Sequence, residues 1–319
     1  MLKPIKLTKK ISHTDKILIV GGMGFIGRSL VKKCLNYTSN ITCISLRSRD
    51  NENTILSDVE VIKCDITNKE RLKKVLYKKS FDYVFNLGGY IDHTPYFQGG
   101  RKLIESHFRG LLNLIDCLDI KNLQRFVQIG SSDEYGNVAA PQNESIREAP
   151  ISPYSLAKTA SSHFIQMISN TEDFPGIVLR FFLVYGPEQD EKRFLPQIIK
   201  GCLENTEFKT SKGKQLRDFC YIDDIVAAII KAAVSPSAKG HILNIASGVP
   251  ISIREVIEKV IKITGGGMPL LGEHPYRKGE NMALYADISL AKNILNWKPR
   301  VSIEAGLRKT VNYYKEKYK

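Results

Sequence analysis

Short runs of aliphatic and β-branched residues alternate with helix-patterned segments along the first half of the chain. Lys16-Ile-Leu-Ile-Val-Gly21 reads as a buried strand closed by glycine. Phe25 to Asn36 carries a helical pattern, and Ile41-Thr-Cys-Ile-Ser45 and Val59-Glu-Val-Ile-Lys63 are the next two strands. Asn68 to Lys78 is a basic amphipathic helix, followed by a strand at Tyr83-Val-Phe-Asn-Leu87. Residues 101–119 hold apolar positions at Leu103, Ile104, Phe108, Leu111, Leu112, Leu114 and Ile115, spaced for one helix. A strand at Arg125-Phe-Val-Gln-Ile129, a helix from Tyr154 to Ser169 and a strand at Gly176-Ile-Val-Leu-Arg180 complete the series. Such strands, joined through helices, predict an α/β fold: a doubly wound parallel sheet covered on both faces.

After Tyr185-Gly-Pro187 the rhythm becomes irregular. Helical pieces at 194–204, 222–234, 252–264, 289–295 and 303–316 are separated by loops rich in glycine, proline and charge, with a clear break at Gly265-Gly-Gly-Met-Pro269. The pattern predicts a smaller mixed α/β domain at the carboxyl edge of the sheet, where open α/β sheets bind ligands. The expected division is an arm over 1–15, a first domain over 16–182 and a second over 183–319. Segments near 219–246 are candidates to return to the first. Met1 to Lys16 is polar and basic, lacks the apolar core of a secretory signal, and reads as a short frayed arm.

Composition narrows the classes. The chain has 319 residues, 43% hydrophobic and 25% charged, which excludes wholesale disorder and a small disulfide scaffold. No apolar run reaches the ~18–20 residues that span a bilayer, so no membrane partner is expected. The cysteines at 34, 43, 64, 117, 202 and 220 show no Cys-x-x-Cys spacing, several lie in apolar runs, and a reducing cytoplasm is the expected compartment. No metal site is expected. The formal net charge of +14 favours anionic partners, from nucleic acid to phosphorylated small molecules.

Gly21-Gly-Met-Gly24-Phe-Ile-Gly27 lies between the first strand and the first helix. Residues without a Cβ let the backbone approach a pyrophosphate, and the helix N-terminus offers free N–H groups to it. A dinucleotide site is therefore expected. The second strand ends Ile44-Ser-Leu-Arg47-Ser-Arg49, with no carboxylate before Asp50 to take ribose hydroxyls. Arg47 and Arg49 suit a 2′-phosphate, so NADP is the expected cofactor, with NAD as the alternative.

Tyr154-Ser-Leu-Ala-Lys158 sets a phenol and an ammonium one helical turn apart on one face. A nearby cation is expected to lower the tyrosine pKa and suit it to proton transfer. The fifth strand runs into Gly130-Ser131-Ser132-Asp133-Glu134-Tyr135-Gly136, which puts a hydroxyl at its carboxyl end.

Together these features resemble the extended short-chain dehydrogenase/reductases, the NAD-dependent epimerase/dehydratases that act on nucleotide sugars. The resemblance runs from about Lys16 to near the C-terminus. It rests on the glycine turn, Asp65-Ile66, Leu87-Gly88-Gly89, Ser131-Ser132-x-x-Tyr135-Gly136 and Tyr154-x-x-x-Lys158. It also includes Arg180-Phe-Phe-Leu-Val-Tyr-Gly-Pro187, Arg217-Asp-Phe-Cys-Tyr-Ile-Asp-Asp224 and Asn296-Trp297-Lys-Pro299. It implies a Rossmann dinucleotide-binding domain, a sugar-nucleotide-binding domain and a homodimer paired through the helices at 101–119 and 154–169. Tyr154 is implied as acid/base, Ser131 as the group polarising the same oxygen, and Lys158 as the ligand of the nicotinamide ribose. Gly21, Gly24, Phe25, Ile26 and Gly27 would line the pyrophosphate, Asp65 and Ile66 the adenine, and Leu87, Gly88 and Gly89 the length of the cofactor. Ser132, Leu183, Arg193, Arg217 and Arg277 are the implied substrate contacts, the last two arginines facing the diphosphate.

Two departures stand out. Leu183 and His107 replace asparagines common in the family, and His107 is expected to be a satisfied buried histidine. Asp133 occupies the position of a dehydratase carboxylate, with shorter reach. The expected function is reduction of the C4 ketone of an NDP-4-keto-6-deoxyhexose, with a 4-epimerase and then a 4,6-dehydratase as alternatives, and a non-catalytic cofactor-binding protein as a further one. The arginines at 47, 49, 217 and 277 each gain a phosphate in this account, which makes nucleic acid an unnecessary partner. The remaining charge lies largely on solvated helix faces such as Lys69 to Lys79 and Lys315 to Lys319.

Overall fold

The computed structural model describes residues 10–46, 58–276 and 279–318. Its main sheet has seven parallel strands: β1 (Ile17–Val20), β2 (Ile41–Ser45), β3 (Glu60–Lys63), β4 (Tyr83–Asn86), β5 (Arg125–Ser131), β6 (Gly176–Phe181) and, after three strands that lie outside this sheet, β10 (Ile242–Ile245). Every residue of β1, β2, β4, β5, β6 and β10 is buried, whereas β3 at one edge is half-exposed. That uniform burial follows from helices on both faces and explains why the strands read as continuous apolar runs. The order is β10-β6-β5-β4-β1-β2-β3. The direction of travel reverses between β1 and β4, so the crevice at their carboxyl ends is the topological switch point.

The flanking helices are α1 (Phe25–Cys34), α2 (Lys69–Leu76), α3 (Arg101–Ile104), α4 (Gly110–Cys117), α5 (Pro153–Thr171), α6 (Phe194–Leu203) and α7 (Ile222–Val234). The single helix expected over 101–119 is instead α3 and α4 joined by one π turn, Glu105–Arg109, and it stops at Cys117. Apolar spacing alone does not reveal that wider turn, because the helical stripe continues on either side of it. Helix α5 starts one residue earlier than the pattern suggests. Ser152 accepts from Ser155 N while the Ser155 hydroxyl accepts from Ser152 N, and Pro153 takes the first helical position.

The rest of the chain forms small sheets that sequence periodicity left as loops. Strand β7 (Leu183–Tyr185) runs parallel to β9 (Leu216–Tyr221), while β11 (Pro250–Ser252) and β13 (Ala283–Leu284) flank β9 on its other path. Strands β8 (Glu207–Thr210) and β12 (Met268–Leu271) pair with each other. Helices α8 (Ile253–Thr264), α9 (Ser289–Leu295) and α10 (Ile303–Lys317) complete this part. It is tied to α1 by Glu188, which accepts from Arg28 Nε at 2.8 Å and Lys32 Nζ at 2.5 Å. The described part of the arm, residues 10–15, is docked and not frayed. Ile11 is buried, and Thr38 Oγ1 donates to the carbonyls of His13 and Asp15.

The six cysteines are free thiols, and no described helix is long and apolar enough to cross a membrane. Among the described residues no group of three or more His, Cys, Asp or Glu is placed to hold a metal ion.

Candidate active site

The glycine turn sits at the switch point. Gly21 has φ +79°, and a Cβ there would lie 2.9 Å from Leu87 O, so this close approach of the turn to the end of β4 requires glycine. A Cβ on Gly27 would fall 2.2 Å from Gly21 O, which holds α1 tight against the turn. Gly24 caps α1 with no side-chain hydrogen bond, and the first turn holds no acidic residue. The helix N-terminus therefore presents its N–H groups and positive dipole end without internal competition. Phe25 and Ile26 in that turn are half-buried against the core. Ile66 packs across the mouth, with Cδ1 3.5 Å from where a Gly88 Cβ would stand. Asp65 spends Oδ1 on Thr67 N at 2.9 Å and Thr67 Oγ1 at 2.8 Å. A cradle of this kind, which added Cβ atoms would fill, fits a dinucleotide pyrophosphate. Arg47 and Arg49, on which the preference for NADP rested, lie outside the described residues.

The second half of the site is built where β5 ends and α5 begins. Ser131 caps a short 3₁₀ turn, Ser132–Tyr135, and its Oγ accepts from Asp133 N at 3.2 Å. Ser132 is buried within that turn. Tyr154, in the first turn of α5, is only 3% exposed. Burial pushes its phenol above the ordinary tyrosine range and Asp133 adds to the rise, while the Ser131 hydroxyl and Arg193 pull the other way. Ser131 and Asp133 belong to the turn after β5, and Arg193 is the N-cap of α6. Leu183 is on β7, paired with Phe219.

Lys158 Nζ donates to Ile129 O at 2.9 Å and lies 5.9 Å from the Tyr154 ring centroid. Burial pulls Lys158 down to about 8, with Glu134 acting in the opposite sense. Between about pH 8 and the ordinary lysine value of about 10.4, the unfolded chain holds a proton that the folded chain has released, so stability rises with pH across that window. Below it the full cost of a buried ammonium applies. Without added cofactor, Lys158→Met is expected to melt above the unsubstituted protein near pH 7, with the gap closing toward pH 10. Equal differences in melting temperature at both pH values would contradict this.

Two histidines that sequence spacing did not assign to the phenol stand against it. His107 is carried on the π turn, 5.0 Å from the Tyr154 ring in an edge-on arrangement. It is buried, its Nε2 is 2.8 Å from Tyr90 O, and burial together with Lys158 pulls it down to about 3. Gly89, at φ +111°, makes the room: a Cβ there would sit 2.1 Å from His107 Cε1. The expectation of a satisfied buried histidine therefore holds. His93, from the loop after β4, approaches Tyr154 at 5.9 Å. Its signal was weak, since an isolated loop histidine has no periodicity, but loops at the carboxyl edge of a parallel sheet are where such sites form.

Glu134 is the other residue that motif spacing passed over. Its Oε1 accepts from Ser131 N at 2.8 Å, and its Oε2 accepts from Ser162 Oγ at 2.8 Å and Arg180 Nε at 2.7 Å. Arg180 also pairs with Glu148 and stacks 4.8 Å over the Tyr135 ring. Burial opposes the Arg180 charge, yet Glu134, Tyr135 and Glu148 together push the guanidinium pKa up. Tyr135 OH donates to Asn244 Oδ1 at 2.9 Å, so this buried network reaches β10.

Arg217, expected at a diphosphate, has its guanidinium engaged within the protein. Nη1 donates to Leu216 O and Asn281 O, both at 2.8 Å, and Nη2 pairs with Glu280. Asn281 in turn donates to Gly136 O at 3.0 Å, which links this loop to the Ser131 turn. Arg277 lies outside the described residues.

A glycine-rich phosphate cradle at the switch point, with a serine, tyrosine and lysine gathered at the next strand ends, defines a dinucleotide-dependent class of site. The sequence profile of the NAD dependent epimerase/dehydratase family matches residues 17–246, and the chain belongs to that family. A UDP-glucuronate 4-epimerase from Thermodesulfobacterium geofontis is 32% identical over 257 residues, covering 79% of this chain and 78% of that one. Among solved structures, UDP-glucose 4-epimerase from Thermotoga maritima, in complex with UDP-glucose, superposes with a TM-score of 0.87 at 26% identity, covering 95% of this chain and 100% of that one. UDP-glucuronic acid 4-epimerase from Bacillus cereus, in complex with UDP-glucuronic acid and NAD, gives 0.82 at 26% identity with the same coverages.

Proposed function

We propose that this protein is an NAD-dependent 4-epimerase of a UDP-linked hexose or hexuronate. The observation that carries the proposal is the buried Tyr154 at the start of α5, edge-on to His93 and His107, with Ser131 capping the turn after β5 and the glycine cradle at the switch point. The relatives described above, two of them UDP-glucuronate 4-epimerases, favour this over the reductase expected from sequence. The NAD in one of those complexes likewise favours NAD over NADP.

Gly21, Gly24 and Gly27 hold the pyrophosphate of the cofactor at the α1 N-terminus, and Leu87 and Gly88 border it. A bound NAD would supply the acceptor for the C4 hydrogen and a positive charge. Tyr154 takes the proton of the C4 hydroxyl and later returns it. Ser131 donates to the same oxygen and steadies its charge, held in place by the Glu134 carboxylate on its own N–H. Lys158 binds the nicotinamide ribose. Arg217, oriented by Glu280, and Arg193 line the nucleotide-sugar side. Leu156 and Met167, exposed on α5, support a homodimer formed through that helix.

The test is incubation of the pure protein with UDP-glucose, UDP-glucuronic acid and a 4-keto-6-deoxy sugar nucleotide, each with NAD or NADPH. Interconversion of a UDP-sugar with its C4 epimer, without net change in cofactor, is the expected result. NADPH oxidation confined to the ketosugar would overturn it in favour of the reductase.

A further inference from the structure

A histidine and a carboxylate stand together beside Tyr154. His93 belongs to the loop between β4 and α3. The turn around it is fixed by Asp92, whose Oδ1 accepts from both Thr94 N and Thr94 Oγ1 at 2.7 Å. The same loop is pinned three residues earlier by His107 on Tyr90 O. From this support the His93 ring stands edge-on to Tyr154, and its Nε2 lies 3.7 Å from Asp133 Oδ2. Of the two imidazoles against the phenol, His107 is sealed in the core. His93 keeps 44% of its side chain exposed and has a carboxylate beside it.

We propose that His93, oriented by Asp133, is a second acid/base of this site, and that the protein exchanges a proton at the sugar carbon next to C4 whenever C4 is a ketone. The proposal rests on the placement of the C4 oxygen at Tyr154. A C4 carbonyl acidifies the C–H bonds on its two neighbours. The imidazole takes the proton from the neighbour that faces it. The C–H electron pair becomes the C=C bond of an enolate, and the carbonyl π pair moves onto the C4 oxygen. There the Tyr154 O–H and Ser131 O–H hold the developing charge. The resulting imidazolium faces the Asp133 carboxylate, whose Oδ2 is 3.7 Å from Nε2. Return of the proton to carbon closes the cycle with no oxidant, reductant or co-reactant consumed.

The experiment supplies the ketone directly. A nucleotide-linked 4-keto-6-deoxyhexose is incubated with the protein in deuterium oxide, and loss of the H3 and H5 signals is followed by proton NMR against a protein-free control. No transfer at C4 is needed, so exchange reports on His93 even if the UDP-sugars of the preceding section are not epimerised. The unsubstituted protein is expected to exchange one of the two positions. His93→Ala should slow that exchange about a hundred-fold or more, the scale of a positioned acid/base, and added free imidazole should restore part of it. Asp133→Asn should give a smaller loss that imidazole does not repair. Exchange no faster than the control in the unsubstituted protein, or equal rates with and without the His93 side chain, would overturn the proposal.

Discussion

Tyr154→Phe is expected to lower turnover at C4 by about a hundred- to ten-thousand-fold while leaving the fold and cofactor binding in place. The separation of effects follows from how the ring is held. Its faces and edges pack between His93 and His107 at 5.9 and 5.0 Å, contacts that phenylalanine retains. Only the phenolic oxygen is lost, and with it the group on which Ser131, Asp133 and Arg193 act. The cradle at Gly21 to Gly27 is built from β1, α1 and the end of β4, with no part taken by this hydroxyl. Steady-state kinetics with a UDP-hexose, together with a cofactor titration and a melting curve, check both halves. Turnover near that of the unsubstituted protein would remove Tyr154 from the chemistry.

The largest expected effect on stability is at Arg180. This side chain is fully buried, and it neutralises two carboxylates, Glu134 and Glu148, the first of which is itself fully buried. Arg180→Leu leaves Glu134 in the core without its cation, a change that costs about 3–5 kcal/mol. The Ser162 hydroxyl and Ser131 N–H still reach the carboxylate, but neither supplies charge. Replacing both partners, Arg180→Leu with Glu134→Leu, should recover much of the loss, because the desolvation of both ions is then avoided. The double replacement should still depress turnover, since Ser131 N loses its acceptor. Denaturant unfolding of the two variants checks the prediction: equal destabilisation of single and double variants would show that packing, and not the charge pair, dominates there.

The doubly wound sheet was legible because its strands are buried on both faces, so residues such as Ile17 to Val20 and Tyr83 to Asn86 form unbroken apolar runs. The glycine turn was legible for a related reason: Gly21 and Gly27 are required by backbone approach, and that requirement leaves a spacing in the chain. Strands β7, β11 and β13 are only two or three residues long, too short to show alternation, and their pairing through β9 depends on residues far apart in sequence. Glu134 was passed over because an isolated charge beside a motif looks solvated; its burial depends on Arg180, 46 residues further on. The acceptor of Lys158 was not legible, because helical spacing fixes the face of a side chain but not its partner. Ile129 O, at the end of a neighbouring strand, takes the ammonium. His107 reaches Tyr154 through a π turn that apolar spacing does not encode.

The central claim is that Tyr154, Ser131 and Lys158 interconvert the two configurations at C4 of a UDP-linked sugar within one closed site. UDP-glucose or UDP-glucuronic acid carrying deuterium at C4 tests it most directly, with the product analysed by NMR and mass spectrometry in ordinary water. The account predicts that the C4 epimer retains the deuterium at C4, because that hydrogen never reaches solvent. Protium at C4 of the product, or a ketone that accumulates in step with reduced cofactor, would contradict it.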